Sequence, residues 1–198
     1  MGRPKALVEL DGEPLVVRAL HALTEGGVAP VVVVLGARAD EVRAVLPAGV
    51  RAVEAPDWAD GMGASLRAGL AALEGPGLEG NGLEGNGLEG AAVDAAVVHL
   101  VDLPGVTAGA VARLVAVGGH DVLARAAYDG RPGHPVLLGR AHWAGVRAAA
   151  VGDAGARGYL AGRADVALVE CGDLADADDV DTPEQLADFT TRHTASDR

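Results

Sequence analysis

Three groups of side chains in this sequence are of the kinds that handle phosphates and divalent cations. Lys5 follows Pro4 in "MGRPK", with Gly2 and Arg3 beside it, an arrangement that looks like the tail of a phosphate-binding loop. Asp102 ends the apolar run "AAVVHLV" and stands directly before "LPG". Asp176, Asp178, Asp179 and Asp181 crowd the stretch "DADDVDTPEQL". Mg²⁺ prefers one or two carboxylates, completed by water and phosphate oxygens, so Asp102 and one member of the cluster make up the pair such a site needs. Each group also has an ordinary reading. Lys5 fits a surface lysine, Asp102 fits a turn or the cap of a helix starting near Thr107, and the acidic cluster fits solvated surface and capping ahead of Thr182 and Pro183.

The elements that must position these residues alternate between strand and helix. "EPLVVRALHALTEGG" sets Leu15, Val16, Ala19, Leu20 and Leu23 at helical spacing and stops at Gly26 and Gly27. "PVVVVLG" is a β-branched run without alternation, the pattern of a strand buried on both faces. "ADEVRAVL" predicts a helix, "RAVEA" a strand, and "GASLRAGLAAL" a helix with Leu66, Leu70 and Leu73 inward. "AAVVHLV" is the next strand, running as far as Asp102, and "AGAVARLVAV" the next helix. "DVLARAAYDG" and "HPVLLG" are two strands around the turn "DGRPG". A helical stretch, the strand "VALVEC" and a last helix from near Thr182 complete the chain. Such alternation implies right-handed crossovers, a largely parallel sheet and ligands beyond the carboxyl ends of its strands, in the loops after Leu35, Val101 and Tyr128.

Length and composition narrow the class. A chain of 198 residues suffices for one α/β domain burying roughly 70% of its unfolded surface. Residues 1–190 are expected to be that domain and 191–198 a C-terminal tail. The near-repeat "GLEGNGLEGNGLEG" from Gly77 to Gly90, within 75–91, has neither a core stripe nor a strand period and predicts a flexible surface insertion without a role of its own. Apolar residues are 49% but aromatics only 3%, so the core is built from Ala, Val and Leu. A net charge of -12, from 28 acidic and 16 basic residues, disfavours nucleic acid and anionic membranes as partners. Cys171 has no cysteine to pair with, and neither a signal-peptide pattern nor an apolar run near 18 residues is present, which points to the cytoplasm.

"MGRPKALVELDGEPLVVRAL", "WADGMGASLRAGLAAL", "VDLPGVT", "GRPGHPVLL", "GDAGARGYL" and "DVDTPEQL" occur in that order and nearly span the chain. The series resembles the MobA-like NTP transferase family, with "GHPV" and "GDAGAR" similar to its molybdenum-cofactor cytidylyltransferase branch. The resemblance implies a three-layer, doubly wound, mostly parallel sheet of the Rossmann-like nucleotidyltransferase type. It also implies transfer of CMP from CTP to a phosphorylated pterin acceptor, with release of pyrophosphate. Lys5, supported by Arg3, would contact the triphosphate, and Asp102 and Asp181 would hold Mg²⁺. Gly61 and Gly63 would let the backbone approach the nucleotide, with Ser65 bonding the pyrimidine. His134 and Arg157 would serve the acceptor. Trp58 and Trp143 would stack on a ring system or lie in the core. A molybdoenzyme or its chaperone would be the protein partner.

Two departures from the family pattern stand out. Ala55 in "EAPDW" occupies a position where relatives carry Asn. The apolar first strand and its short Gly-rich loop, which precede the "GRPK" segment in relatives, are absent, and Met1 matches a methionine that is internal there. The natural protein is therefore expected to begin about 10–15 residues upstream, from usual strand and loop lengths. Because that loop helps choose the base, a guanylyltransferase acting on another phosphorylated acceptor is the nearest rival, and CTP against GTP separates the two. A catalytically weak binding protein of the same fold is the rival from another class.

Overall fold

The computed structural model describes residues 3–75 and 93–194, so the expected Gly-rich insertion lies outside the described residues. A short 3₁₀ turn, Lys5–Leu7, leads into a two-stranded ribbon, β1 (Glu9–Leu10) and β2 (Glu13–Pro14). Asp11 and Gly12 join them with φ of 54° and 82°, the two left-handed positions that an Asp-Gly hairpin turn requires. Then follow α1 (Leu15–Glu25), β3 (Val32–Leu35), α2 (Ala39–Val45), β4 (Arg51–Glu54) and α3 (Met62–Glu74). The second half holds β5 (Ala95–Val98), α4 (Ala108–Val115), β6 (Leu123–Tyr128), β7 (Arg131–Gly139), α5 (Trp143–Ala149), α6 (Arg157–Leu160), β8 (Val166–Glu170) and α7 (Pro183–Thr194). The last helix thus runs on through Thr194, into the stretch expected to be tail, because Phe189 is buried against Val8, Leu10 and Leu15 and His193 stacks on its ring.

β3 and β4 pair in parallel, Val32 opposite Arg51. The larger sheet has the order β5-β7-β6-β8. Within it β6 and β8 are parallel, while β7 runs against both β5 and β6, so β7 alone is reversed. That reversal comes from the tight β6–β7 hairpin through Asp129 and Gly130, whose N–H groups, with that of Gly172, are held by the Glu170 carboxylate. Helices cover both faces of this sheet. Leu70 of α3, Trp143 and Val146 of α5 and Leu160 of α6 pack on Leu123, Val136 and Leu138 from one side. Leu114 of α4 packs on Ala124 and Leu137 from the other. Trp143 is a core residue, its indole N–H donating to the Leu138 carbonyl at 2.8 Å. Among the described residues no helix is long and apolar enough to cross a membrane.

The predicted single sheet is divided. β3 pairs only with β4, and β5 only with β7, so each has one open edge among the described residues. Between them lies a cavity of about 690 Å³, lined by Leu20, Val33, Leu66, Leu70 and Val97 and also by polar side chains. The predicted strand before Asp102 also stops early: β5 ends at Val98, and Asp102 lies four residues on, in a turn.

Candidate active site

Lys5, Asp102 and Asp181 meet at one point. The Lys5 ammonium donates to Asp102 Oδ2 at 2.8 Å and also to Asp181 Oδ1. Each partner arrives on a different element. Lys5 opens the 3₁₀ turn before β1, Asp102 is in the turn after β5, and Asp181 stands two residues before the start of α7. The turn that carries Asp102 is pinned from two sides: Arg18 Nε donates to the Pro104 carbonyl at 3.1 Å, and Val180 N–H donates to the Asp102 carbonyl at 2.9 Å. Gly105 is required there, since a Cβ would stand 2.7 Å from the Asp176 carbonyl oxygen.

The ordinary roles weighed for these aspartates are filled by other residues. Thr107 caps α4, its hydroxyl accepting from Ala110 N–H at 3.3 Å. Thr182 and Gln185 form a reciprocal capping box at α7: Thr182 Oγ1 accepts from Gln185 N–H, and Gln185 Oε1 accepts from Thr182 and Asp181 N–H. Asp176 and Asp178 pair with Arg192 on α7. Asp181 is left to face Lys5.

The electrostatics suit a cation between two carboxylates. Burial works against the Lys5 charge, but hydrogen bonds and fields from Asp102 and Asp181 outweigh it and raise the ammonium above its ordinary pKa. Asp102 Oδ1 is buried and has no hydrogen-bond partner. An anionic oxygen so placed is costly unless a cation or donor reaches it. Two aspartates with an open oxygen fit a hydrated divalent ion that takes its other ligands from phosphate and water. Among the described residues no group of three or more His, Cys, Asp or Glu could enclose an ion without such help.

The remaining residues singled out by sequence fall around the cavity between the sheets. His134 on β7, Ser65 on α3 and Arg157 at the start of α6 all line it, while Arg3 is exposed. Gly61 and Gly63 have a packing role within the chain. The close approach they permit is of the chain's own backbone: a Cβ at Gly63 would lie 2.6 Å from the Ala150 carbonyl oxygen, and one at Gly61 would collide with Gly152 and Asp153. Their small size docks the start of α3 on the 150–153 segment. Ala55 is buried, its N–H bonded to the Leu35 carbonyl. Trp58 is exposed and covers Gly36 just beyond β3.

Two residues that sequence reading passed over belong to the same wall. His99, just after β5, and Arg125, on β6, line the cavity beside His134. A histidine inside the apolar run "AAVVHLV" and an arginine inside "LARAAY" were the available signals, since each interrupts a buried strand pattern. Burial, with the Arg125 charge adding to it, pushes His134 down to about 4 despite the opposing field of Asp102. His99 is likewise pushed down to about 4, by burial and by His134.

A pH dependence follows with a definite sign. A base whose folded pKa is depressed is proton-free in the fold, so its contribution is complete above the ordinary value of 6.5 and fades as pH falls towards about 4. For His134 the loss is of the order of 3 kcal/mol. Urea unfolding of wild type and H134N at neutral pH and near pH 4 measures it. Wild type is expected to lose more stability than the variant across that interval, and equal losses would contradict the burial-driven shift.

Residues 1–168 match the model of the MobA-like NTP transferase domain. The chain is 35% identical over 197 residues to the nicotine blue oxidoreductase of Paenarthrobacter nicotinovorans, covering 94% of this chain and 88% of that one. Among solved structures it resembles a nucleotidyl transferase from Methanothermobacter thermautotroptrophicus, with a TM-score of 0.75, 19% identity and coverage of 97% and 86%. It also resembles Rv0371C of Mycobacterium tuberculosis H37Rv in complex with manganese, with a TM-score of 0.70, 23% identity and coverage of 96% and 93%.

Proposed function

The chain belongs to the MobA-like NTP transferase family, and from that premise we propose that it transfers CMP from CTP to the phosphate of a molybdopterin-type acceptor, releasing pyrophosphate. The observation that carries this reading is the convergence of Lys5, Asp102 and Asp181, from positions 97 and 176 residues apart in sequence, on one ammonium. The motif series, with "GHPV" and "GDAGAR", supports the cytidylyl and pterin assignment over the rest of the family.

An oxygen of the acceptor phosphate attacks the α-phosphorus of the triphosphate in line, the bond from that phosphorus to the bridging oxygen breaks, and pyrophosphate departs with the electron pair. No protein nucleophile is needed, so the residues act by placing and neutralising charge. Lys5 turns from the carboxylates to the triphosphate. Asp102 and Asp181 would hold Mg²⁺, which when bound neutralises phosphate oxygens as a Lewis acid. The relative solved with manganese supports a divalent ion in this fold. His134, neutral and on the cavity wall, donates to or accepts from the acceptor, and Arg157 adds positive charge beside it. Ser65 serves the base from α3.

The deciding experiment incubates the protein with Mg²⁺, molybdopterin and each nucleoside triphosphate in turn, reading pyrophosphate release. Release with CTP well above GTP is expected. Release with GTP alone would move the protein to the guanylyl branch, and none with any triphosphate would reject the reading. A second reading has its own support in the 35% identical relative, which is named for an oxidoreductase activity. Bleaching of nicotine blue by this protein, with a supplied nicotinamide reductant and no pyrophosphate release, would favour it.

A further inference from the structure

We propose that Arg125, together with Arg157 and His134, forms an anion subsite that grips the phosphate monoester of the acceptor. The proposal rests on the transferase reading above and adds to it a residue and a ligand chemistry. Strand register places the side chain. Ala124 and Ala126 of β6 pack on the α4 face, with Leu114 and Ala110, whereas Leu123 packs on the opposite face with Leu70 and Trp143. Alternation sends Arg125 to the same side as Leu123, onto the wall of the cavity, and the ladder becomes irregular between Arg125 and Ala127.

An arginine on an inward strand face is costly unless something negative meets it. Arg125 has little of that kind in the protein. Its Nε donates to the Gly133 carbonyl at 3.3 Å, and among the described residues neither Arg125 nor Arg157 has a carboxylate partner. Other arginines on this chain do, as with Arg113 on Asp173 and Arg147 on Glu74. Burial and the neighbouring charge of Arg157 both act to weaken the Arg125 charge, which is the signature of two cations facing one space. A guanidinium fork matches a phosphate dianion in two parallel hydrogen bonds, and a second guanidinium with an imidazole completes the cradle. His99, Leu100 and Val101, which run up to Asp102, line the same cavity as the cradle, and the charge of Asp102 acts on His134. A monoester held there presents a free oxygen towards the α-phosphorus.

Calorimetric titration with inorganic phosphate, and separately with Mg²⁺ and CTP, tests the subsite. R125Q is expected to weaken phosphate binding by about tenfold or more, the loss of a charge-assisted bidentate pair, while leaving the affinity for Mg²⁺ and CTP unchanged. K5Q is expected to do the reverse. If R125Q does not fold, R125K, which keeps the charge but loses the fork, is read by the same criterion. Undiminished phosphate binding in the arginine variant, or phosphate binding that depends on Lys5 alone, overturns the proposal. So does the absence of phosphate binding by wild type. Because phosphate binding is read without turnover, failure of the subsite and failure of the transferase reading give different results: the latter shows as no pyrophosphate release while the phosphate titration still responds to Arg125.

Discussion

Replacing Asp102 by Asn is expected to lower nucleotidyl transfer by about 10²–10³-fold, the scale on which loss of a pre-set electrostatic contact to a reacting phosphate is felt, and to leave the fold intact. The substitution conserves volume and removes one of the two carboxylates that meet Lys5. Its structural consequences are small. The side chains of Lys5 and Asp102 are 38% and 21% exposed, so the ion pair itself contributes no more than about 1 kcal/mol. The turn is anchored through the backbone carbonyls of Asp102 and Pro104, which a side-chain substitution leaves in place. Neutralising Asp102 also takes the negative charge off a buried oxygen without a partner. The expected pattern is therefore a melting temperature near that of wild type with turnover almost lost, read by pyrophosphate release at saturating CTP and Mg²⁺. Wild-type turnover in D102N would remove Asp102 from the chemistry. A lost fold in D102N but not in D181N would make Asp102 a structural residue instead.

An apolar strand fused ahead of Arg3 is expected to have the largest effect on stability. The edges of β3 and β5 are both open among the described residues, and the space between them is about 690 Å³ of largely aliphatic cavity. Lys5 stands by Asp102, beyond the carboxyl end of β5, so a strand ending there runs in the direction of β5. A strand of about five or six residues with a glycine-rich exit loop has the length of the slot. Because Arg125, His134 and Arg157 line the same cavity, the fusion is also titrated with phosphate, retained binding being expected if subsite and strand occupy different parts of it. Each Val- or Leu-sized side chain it buries is worth about 1.5–3 kcal/mol before the cost of ordering the added residues. A strand buried on both faces contributes several such side chains and also pairs along both open edges, against about 1–2 kcal/mol for each residue ordered, so the melting temperature is expected to rise, by about 2–4 °C for each net kcal/mol gained. Differential scanning calorimetry measures it. The same fusion with Ser in place of the apolar residues is the control and should not raise it. An apolar fusion that leaves the melting temperature where it was would mean that the slot does not accept a strand.

Much of the architecture was legible before any coordinates because it is written in short-range patterns. The stripe Leu15, Val16 and Leu20 buries as α1, the run Val32–Leu35 forms a strand with helices on it, and Asp129-Gly130 turns the β6–β7 hairpin. The motif series likewise singled out Lys5, Asp102 and Asp181. Each of these signals lies within a few residues, where periodicity and turn chemistry operate.

Other features depend on which distant segments meet. "AAVVHLV" reads as one strand to Asp102, yet pairing with β7 stops at Val98 opposite Val136, so the aspartate is carried on a turn. That the missing side chains of Gly61 and Gly63 let the 150–153 segment pack against the start of α3 is set by a neighbour no local pattern announces. That Asp181, and not Asp176 or Asp178, faces Lys5 follows from Arg192 reaching back from its helix to claim the other two. Arg125 could be seen in sequence only as an interruption. Its meaning comes from the sheet order, which turns that face of β6 towards His134 and Arg157 and away from the carboxylates that pair with other arginines. Charges act through space at a few ångströms, so their partners are set by packing and not by spacing along the chain.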